Sequence, residues 1–411
     1  MPITATPALH TRGGGLKGKF LHITDIHLDP NYLDGSDPDQ MCHRKNKKDS
    51  HNVAGKYGAL ESQCDSPIPL VDASFQFMKE SVQDIDFIIY TGDTARHDRD
   101  SKMPRTKDDV FHDHKAIVKY FTDTYDVSKI KWIPTIGNND MPDHNQIGAD
   151  DSLYGILQNM WAPFQLNLTE SFHEGGYFVQ DNVVPGLRII NVNSMLFFHK
   201  NDVVKDCDKK KSPGAVQLVW LENILEQSRQ SGSKVYILSH VPPNDDSDSR
   251  LYKKACYSMY YDLLGKYGDT IAGHFTGHTN DDRLTAVVKD KNGYSPISAR
   301  DDNLKGKEVV TALFNAPSII PKNNPAMRVY EYETEGSKDS SVGTIQDWTQ
   351  YYVDLKKANK DGTVQYTTEY KASELFGVSK FDASGVTAAF KTLQDNKDSR
   401  SRYDNYITVL A

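Results

Sequence analysis

The chain has 411 residues, of which 38% are hydrophobic and 10% aromatic, so it is long enough for one large folded domain or two average ones. Its formal net charge of -8 argues against a general nucleic-acid binder, which normally carries a basic balance. No run approaches the roughly 20 apolar residues that a membrane span requires. We therefore expect no nucleic-acid partner, and an anionic substrate would have to be met by a local basic patch or by metal ions.

Composition divides the chain into three parts. Residues 1–19 carry a run of three glycines and no apolar signal core, so we predict a flexible leader there. Residues 20–345 form the predicted main domain. After Trp348 the sequence turns polar, with helix candidates at 373–375 and 383–393, so we predict that residues 346–411 are a C-terminal helical extension packed on that domain.

The main domain alternates short apolar runs with amphipathic ones, which is the pattern of an α/β fold. We predict strands at 20–24, 87–90, 132–136, 176–180, 188–192, 235–238 and 271–275, and helices at 70–82, 108–120 and 213–230. Five of these strands end abruptly in acid, amide or imidazole side chains. Because sites in open α/β sheets gather at the carboxyl ends of strands, we expect the five endings to meet in one site. They are Asp25 with His27, Asp93, Asn138 with Asn139 and Asp140, His240, and His278 with Asn280.

This mixture of oxygen and nitrogen ligands suits borderline to hard divalent ions such as Mn, Fe, Co, Zn or Mg. A carboxylate shared by two ions would hold them about 3.5–4 Å apart, the separation found in two-metal hydrolysis sites. One Asp-x-His alone is usually a surface turn, and one histidine after a strand is usually a hydrogen-bonded core residue. Five such endings in succession are hard to obtain by accident, so the pattern predicts a hydrolase of phosphate esters or anhydrides with two divalent metal ions.

Four cysteines fall into two local couples, Cys42 with Cys64 and Cys207 with Cys256. Neither couple has the close spacing of a zinc site. The even count, together with the glycosylation-type triplet that begins at Asn167, favours a secretory or vacuolar lumen and two disulfides. Four reduced, buried thiols in a cytosolic enzyme are the alternative that composition leaves open.

The order of the strand endings resembles the signature of the calcineurin-like metallophosphoesterases, D-x-H, G-D, G-N-H-[DE], H and G-H-x-H. The surrounding runs are similar to the acid-sphingomyelinase branch and, more narrowly, to the fungal endopolyphosphatases. The likeness rests on residues 20–27, 64–67, 92–98, 104–106, 137–140, 240–243 and 324–330. It implies a two-sheet β-sandwich flanked by helices in four layers, a vacuolar location and a membrane anchor upstream of this sequence.

The same resemblance implies a ligand set. One metal would be bound by Asp25 and His27, and the other by Asn138, His240 and His278. Asp93 would bridge the two ions, and a metal-bound hydroxide would be the nucleophile.

Two positions depart from the family signature. Asn139 stands where the superfamily has a histidine that acts on the leaving group, and Asn280 replaces the final histidine. An amide cannot deliver a proton, so we expect Asn139 only to hydrogen-bond a phosphate oxygen. Asn280 can still bind metal through its carbonyl oxygen, which would favour harder ions such as Mn or Mg. A departing phosphate chain is weakly basic and gains little from a general acid, so Asn139 favours cleavage of polyphosphate.

Further candidates for substrate contact lie outside the metal ligands. By the resemblance, His97 is a phosphate contact or a substitute proton donor, and Arg96 and His144 are candidate phosphate contacts. Two basic runs, each starting two residues after a cysteine, would attract a polyanion. Their members are Arg44, Lys45, Lys47 and Lys48 in one run and Lys209, Lys210 and Lys211 in the other. Solvated loops are the alternative interpretation of both runs, of Arg96 and of His144.

Three functions are consistent with these residues. The leading hypothesis is an endopolyphosphatase that cuts inorganic polyphosphate internally. The second is a phosphodiesterase acting on lipid or nucleotide esters, against which Asn139 argues. The third is a decayed enzyme that only binds polyphosphate, although six metal ligands of the signature are still present.

Overall fold

Apolar strands alternate with amphipathic helices along the computed structural model, which describes residues 17–245, 249–301 and 303–410. The strands in these ranges are β1 (Lys17–Ile23), β2 (Leu28–Asp29), β3 (Ser66–Pro67), β4 (Phe87–Tyr90), β5 (Lys131–Pro134), β6 (Phe178–Val184), β7 (Leu187–Asn191), β8 (Lys234–Leu238), β9 (Ile271–Thr276), β10 (Arg283–Asp290), β11 (Gly293–Ser298), β12 (Glu308–Asn315), β13 (Ala326–Glu333), β14 (Ile345–Tyr352) and β15 (Thr367–Lys371). The helices are α1 (Ile68–Ser81), α2 (Lys107–Thr124), α3 (Ser152–Met160), α4 (Glu170–Gly175), α5 (Pro213–Ser231), α6 (Lys254–Lys266), α7 (Leu355–Asp361), α8 (Ala372–Phe376), α9 (Ala383–Asp395) and α10 (Lys397–Tyr406).

Two large sheets hold most of these strands. The first has the order β15-β14-β13-β1-β4-β5, and the second has the order β11-β10-β12-β9-β8-β7-β6. Strands β1, β4 and β5 run parallel in the first sheet. Strands β7, β8, β9 and β12 run parallel in the second. Parallel strands covered on both faces require continuous apolar sequence, which explains the runs that predicted them.

The two sheets meet through aromatic side chains. Phe20 of β1 stacks on Phe87 and Tyr330 in its own sheet, with ring centroids 4.8 and 4.9 Å apart. It also meets the edge of Phe275, on β9 of the second sheet, at 5.3 Å. Such pairs add about 0.5–1.5 kcal/mol each beyond their buried area, so they fix how the sheets face one another.

Helices cover the outer faces of both sheets. Phe121 of α2 packs on Tyr90 and Trp132 of the first sheet, while α5 and α6 contact the second. The predicted α/β class, a two-sheet sandwich flanked by helices, is therefore confirmed. None of the helices within the described residues combines the length and apolarity of a membrane span.

The structure differs from the predicted boundaries at both ends. Residues 17–19 of the predicted leader belong to β1, and residues 1–16 lie outside the described residues. The segment 346–411 is not only helical, because β14 and β15 extend the first sheet before α8, α9 and α10 pack together. Only some positions of these two strands are buried, so their polar remainder hid them in the sequence.

Candidate active site

The strand endings predicted to carry chemistry meet at one edge of the molecule. The Asp25 and His27 amides donate to the carbonyls of Gly92 and Asp93 at 2.9 and 3.1 Å, which joins the loops after β1 and β4. The His278 amide, from the second sheet, donates to the Asp25 carboxylate at 2.9 Å. The site therefore lies where the carboxyl ends of both parallel sets converge.

Two groups of possible metal ligands share one carboxylate. Asp25, His27 and Asp93 form one group, and Asp93, His240 and His278 form the other, with the ligand atoms of each group within 4.8 Å of one another. Oδ2 of Asp93 lies 3.2 Å from Nε2 of His27 and 3.3 Å from Nε2 of His240. A carboxylate common to two ligand groups is the arrangement required for a bridge between two ions.

Unpartnered buried oxygen atoms fit the same interpretation. Asp25 Oδ1 and Asn280 Oδ1 are buried and accept no hydrogen bond from the described residues. Buried oxygen without a partner is costly unless something else binds it. Asn138 also contributes, since its Oδ1 lies 3.0 Å from Nε2 of His240. The residues present thus fit a pair of divalent cations.

Backbone carbonyls orient two of the histidines. Nδ1 of His27 is 3.1 Å from the carbonyl of Ala95, and Nδ1 of His240 is 2.6 Å from that of Thr91. Each Nδ1–H therefore donates outward, which reserves Nε2, on the side of Asp93, for a proton or a metal ion. This kind of outer contact fixes the tautomer and ring orientation of metal-binding histidines.

Five site residues adopt left-handed backbone conformations. Their φ angles are +48° at Asp25, +45° at His27, +60° at Asp93, +71° at His278 and +62° at Asn280. A non-glycine residue in this region costs about 1–2 kcal/mol, so the surrounding fold must hold each one there. Strain concentrated on the predicted ligands is typical of a functional site.

Close packing of backbone against carboxylate explains two glycines. A Cβ at Gly137 would stand 2.2 Å from Oδ1 of Asp93, and one at Gly277 would stand 2.6 Å from Oδ2 of Asp25. Asp140 ties the same loops together by accepting from the amides of Thr94 and Gly137, each at 2.7 Å. Gly137 and Gly277 therefore leave room for the two carboxylates, and Asp140 holds together the loops that carry the site.

The buried carboxylates create a demand for positive charge. Burial would lower the pKa of His27, but Asp93 and Asp25 outweigh it and raise that pKa to about 10. Burial also opposes the charged form of His240, yet Asp93 and Asp25 raise its pKa to about 9. Burial together with the His240 charge lowers the pKa of His278 to about 3. Two divalent ions would supply this positive charge, and all three imidazoles would then be neutral.

His97 lies beside the first ligand group. Its ring stacks on His27 with centroids 4.1 Å apart, and its Nδ1 is 2.6 Å from Oδ1 of Asp65. Asp65 also accepts the backbone amide of His97 at 2.7 Å. Burial, with the His27 charge adding to it, lowers the pKa of His97 to about 4 despite the Asp65 carboxylate. His97 is therefore neutral near pH 7, with its proton on Nδ1.

Asn139 packs directly against the carboxylate that the two ligand groups share. It is 0% exposed, and its Nδ2 donates to Oδ2 of Asp93 at 2.8 Å. Its backbone amide donates to Oδ1 of the same carboxylate, also at 2.8 Å. The side-chain amide of Asn139 is thus directed at Asp93, and its contact with a substrate phosphate stays a prediction.

The remaining candidates have mixed surroundings. Arg96 is buried, and its guanidinium donates to the carbonyls of His97 and Met103. The alternative of a solvated loop residue is therefore wrong for Arg96, and its role as a phosphate contact stays a prediction. Nε2 of His144 accepts from Nδ2 of Asn138 at 3.0 Å, which turns the Asn138 oxygen toward His240. Asn167 is exposed.

Both predicted disulfides, Cys42–Cys64 and Cys207–Cys256, are present and confirmed. Some side chains of the basic runs beside these disulfides are engaged in ion pairs. Arg44 makes a bidentate ion pair with Asp100 at 2.6 and 2.9 Å, and Lys209 pairs with Asp208. The exposed lysines of the two runs are Lys45, Lys47, Lys48, Lys209, Lys210 and Lys211.

Sequence reasoning assigned no role to Asp65, Arg99 and Lys200. Asp65 follows Cys64 in a run that the family resemblance had already marked, which was the available signal. Arg99 and Lys200 carry no motif, because each is a single cation in a loop. Arg99 follows His97 by two residues, and Lys200 follows Phe198, whose ring meets the ring of His278 at 5.4 Å.

A calcineurin-like phosphoesterase family model matches residues 18–281, which is more than half of the chain and includes every ligand described above. The chain belongs to the calcineurin-like phosphoesterase family. It is therefore a metal-dependent hydrolase, and membership of this family implies divalent metal ions.

Relatives of this phosphoesterase carry two kinds of name. A protein named Endopolyphosphatase from Cryptococcus neoformans is 35% identical, covering 67% of this chain and 45% of that protein. Another Endopolyphosphatase, from Saccharomyces cerevisiae, is 34% identical, covering 71% of this chain and 44% of that protein. A Sphingomyelinase phosphodiesterase C from Dictyostelium discoideum is 28% identical, covering 95% of this chain and 85% of that protein. The chain thus spans less than half the length of these two endopolyphosphatases.

Proposed function

We propose that this phosphoesterase hydrolyses internal phosphoanhydride bonds of inorganic polyphosphate at a dinuclear metal centre. The observation that carries the proposal is the pair of ligand groups that share Asp93, next to a buried Asn139 where the family has a histidine. The names and identities of the fungal relatives support the same substrate.

The side chains divide the work of the reaction. One ion would be held by Asp25, His27 and Asn280. The other would be held by Asn138, His240 and His278, and Asp93 would bind both ions. When bound, the ions supply Lewis acidity and activate water. The water oxygen forms a bond to an internal phosphorus, the bond from that phosphorus to its bridging oxygen breaks, and a shorter chain leaves with the electron pair. One proton passes to solvent.

The surroundings of the leaving group support an anhydride over an ester. Asn139 is buried against Asp93, and His97 has its proton on the nitrogen that faces Asp65. Neither group offers a strong proton donor near neutral pH. An alkoxide needs such a donor, whereas a phosphate leaving group has a pKa near ~6, by analogy with phosphomonoesters, and departs without one.

A vacuolar or secretory lumen is the compartment we propose. Both disulfides would persist in an oxidising environment, and Asn167 is exposed at a glycosylation-type triplet. The metal that serves in that compartment is proposed to be Mn, Co, Fe, Zn or Mg.

A phosphodiesterase is the second candidate. The observation in its favour is that the Dictyostelium relative covers 95% of the chain and so extends over the C-terminal strands and helices. The two candidates differ in the leaving group, which is an alkoxide for the diester and a phosphate chain for polyphosphate.

The test is a gel of long-chain polyphosphate digested with Mn, Co, Zn or Mg in turn, beside a nitrophenyl diester assay. An Asp93→Asn variant is the control, because it keeps the shape of the side chain and removes its charge. Intermediate lengths that are absent from the control support the proposal. Diester turnover with intact polyphosphate would favour the second candidate, and inertness in both assays would leave a binding protein.

A further inference from the structure

We propose that Arg99 and Lys200 are phosphate-binding residues on opposite sides of the metal centre, so that a polyphosphate chain lies across it with an arm on each side. This inference rests on the proposed function. It adds the path of the substrate, which the ligands of the centre do not define.

Arg99 lies on the side of the first ligand group. It follows His97 by two residues, and His97 stacks on the metal ligand His27 at 4.1 Å. Its side chain is exposed, and its Nη1 is 3.5 Å from the carbonyl of Gln63, next to the disulfide at Cys64. The neighbouring Asp100 is buried and paired with Arg44, so the backbone that carries Arg99 is held firmly.

Lys200 lies on the side of the second ligand group. It follows Phe198 by two residues, and the Phe198 ring meets the ring of His278 edge-on at 5.4 Å. The carbonyl of Lys200 accepts from Gln146 at 3.0 Å, and the next residue, Asn201, donates to Ile147 and Met195, each at 2.9 Å. The lysine side chain is exposed on this fixed segment.

Each cation also lies toward one of the basic loops. Arg99 contacts the loop closed by Cys42–Cys64, which carries exposed Lys45, Lys47 and Lys48. Lys200 precedes the loop of Cys207, which carries exposed Lys210 and Lys211. Exposed acids interrupt both paths: Asp98, whose carboxylate accepts from the Arg105 amide at 2.7 Å, and Asp202. A ligand with one negative charge per unit can engage cations at both ends of such a path, and a small monoester cannot.

Two arms also account for cleavage inside a chain. A polyphosphate bound through both cations places an internal phosphorus at the centre. A chain whose end lies at the centre reaches only one of them. The second arm therefore favours internal over terminal cutting.

The test measures binding and cleavage separately. Binding of fluorescently labelled long-chain polyphosphate is measured by anisotropy in an Asp93→Asn background, alone and combined with Arg99→Ala or Lys200→Ala. Lys79→Ala is the matched control. Lys79 is exposed near the end of α1, just before β4 begins, so it lies at the amino end of that strand, whereas the site lies at the carboxyl end. We expect each site variant to raise Kd about 2- to 5-fold, the size of one exposed ion pair, and the control to leave it unchanged.

Cleavage by the otherwise wild-type enzyme gives the second readout. Arg99→Ala and Lys200→Ala should raise KM for long chains and shift early products from intermediate lengths toward short ones, whereas Lys79→Ala should change neither. If either variant matches Lys79→Ala in both assays, the two-arm path is wrong. If the unmodified enzyme neither binds nor cuts polyphosphate, the proposed function itself fails, which is a separate outcome.

Discussion

The side-chain amide of Asn139 donates to Oδ2 of Asp93 at 2.8 Å, the same oxygen that His27 and His240 approach. The residue at the position of the family's histidine therefore contacts the shared ligand. A hydrogen bond to a charged group contributes about 1.5–3 kcal/mol, so this contact is large enough to matter for metal binding.

We expect Asn139→Ala to weaken metal binding about 10-fold, because the Asp93 carboxylate loses a donor that holds its orientation. Calorimetric titration of the metal-free protein with Mn measures this affinity. Asn359→Ala is the control, since Asn359 anchors α7 to the loop at Tyr57 and Gly58 and should change thermal stability alone. Unchanged Mn affinity in Asn139→Ala would contradict the positioning role.

Asp65 and His97 should behave as one unit. We expect Asp65→Asn and His97→Ala each to lower kcat on polyphosphate about 10-fold with little change in KM, because Asp65 fixes the ring that stacks on His27. The double variant should be no slower than His97→Ala, since residues that act through one another are not additive. If the loss of kcat in the double variant equals the product of the two single losses, Asp65 acts independently of His97.

Asn280 should set the metal preference. Its buried Oδ1 accepts no hydrogen bond from the described part of the chain, and imidazole nitrogen suits Zn better than an amide oxygen does. We expect Asn280→His to raise the ratio of Zn-supported to Mn-supported activity. Asn280→Gly, which tolerates the φ of +62°, should weaken binding of both metals. A glycine variant with wild-type metal affinity would exclude Asn280 as a ligand.

His43 should make stability depend on pH. Its two ring nitrogens lie 2.9 Å from Asp29 and 2.7 Å from Asp100, and two carboxylate partners require both nitrogens to carry protons. Burial opposes the charged form, but these two carboxylates raise the pKa of His43 above its ordinary value. The stabilisation is therefore complete below a pH of about 6.5 and is lost as the pH rises through the folded pKa.

Thermal unfolding measured at several pH values between about 5 and 9 tests this effect, because this interval contains the ordinary pKa of histidine and extends above it. We expect the wild-type Tm to fall more steeply with rising pH than the Tm of His43→Gln. Arg44 also pairs with Asp100 and does not titrate in this range, so it should keep part of the loop in place in both proteins. Equal slopes for the two proteins would rule out His43 as the cause.

Much of the fold was predictable because its signals are local. Buried parallel strands read as apolar runs, so β4 was predicted residue for residue and β8 within one residue. Strands β14 and β15 were missed because only part of each is buried, and the helices beyond them dominated the pattern of the C-terminal segment.

The sequence by itself determined the family, the order of the ligands after their strands and the two cysteine couples, because each of these is written in consecutive residues. The tertiary structure decided which way the side chains face. Asn139 turns inward to Asp93, Arg96 is buried under its own loop, and Asp65 reaches His97 across 32 positions of sequence. The role we propose for Arg99 and Lys200 likewise depends on the fold, since a single cation in a loop acquires a role only from what the fold places beside it.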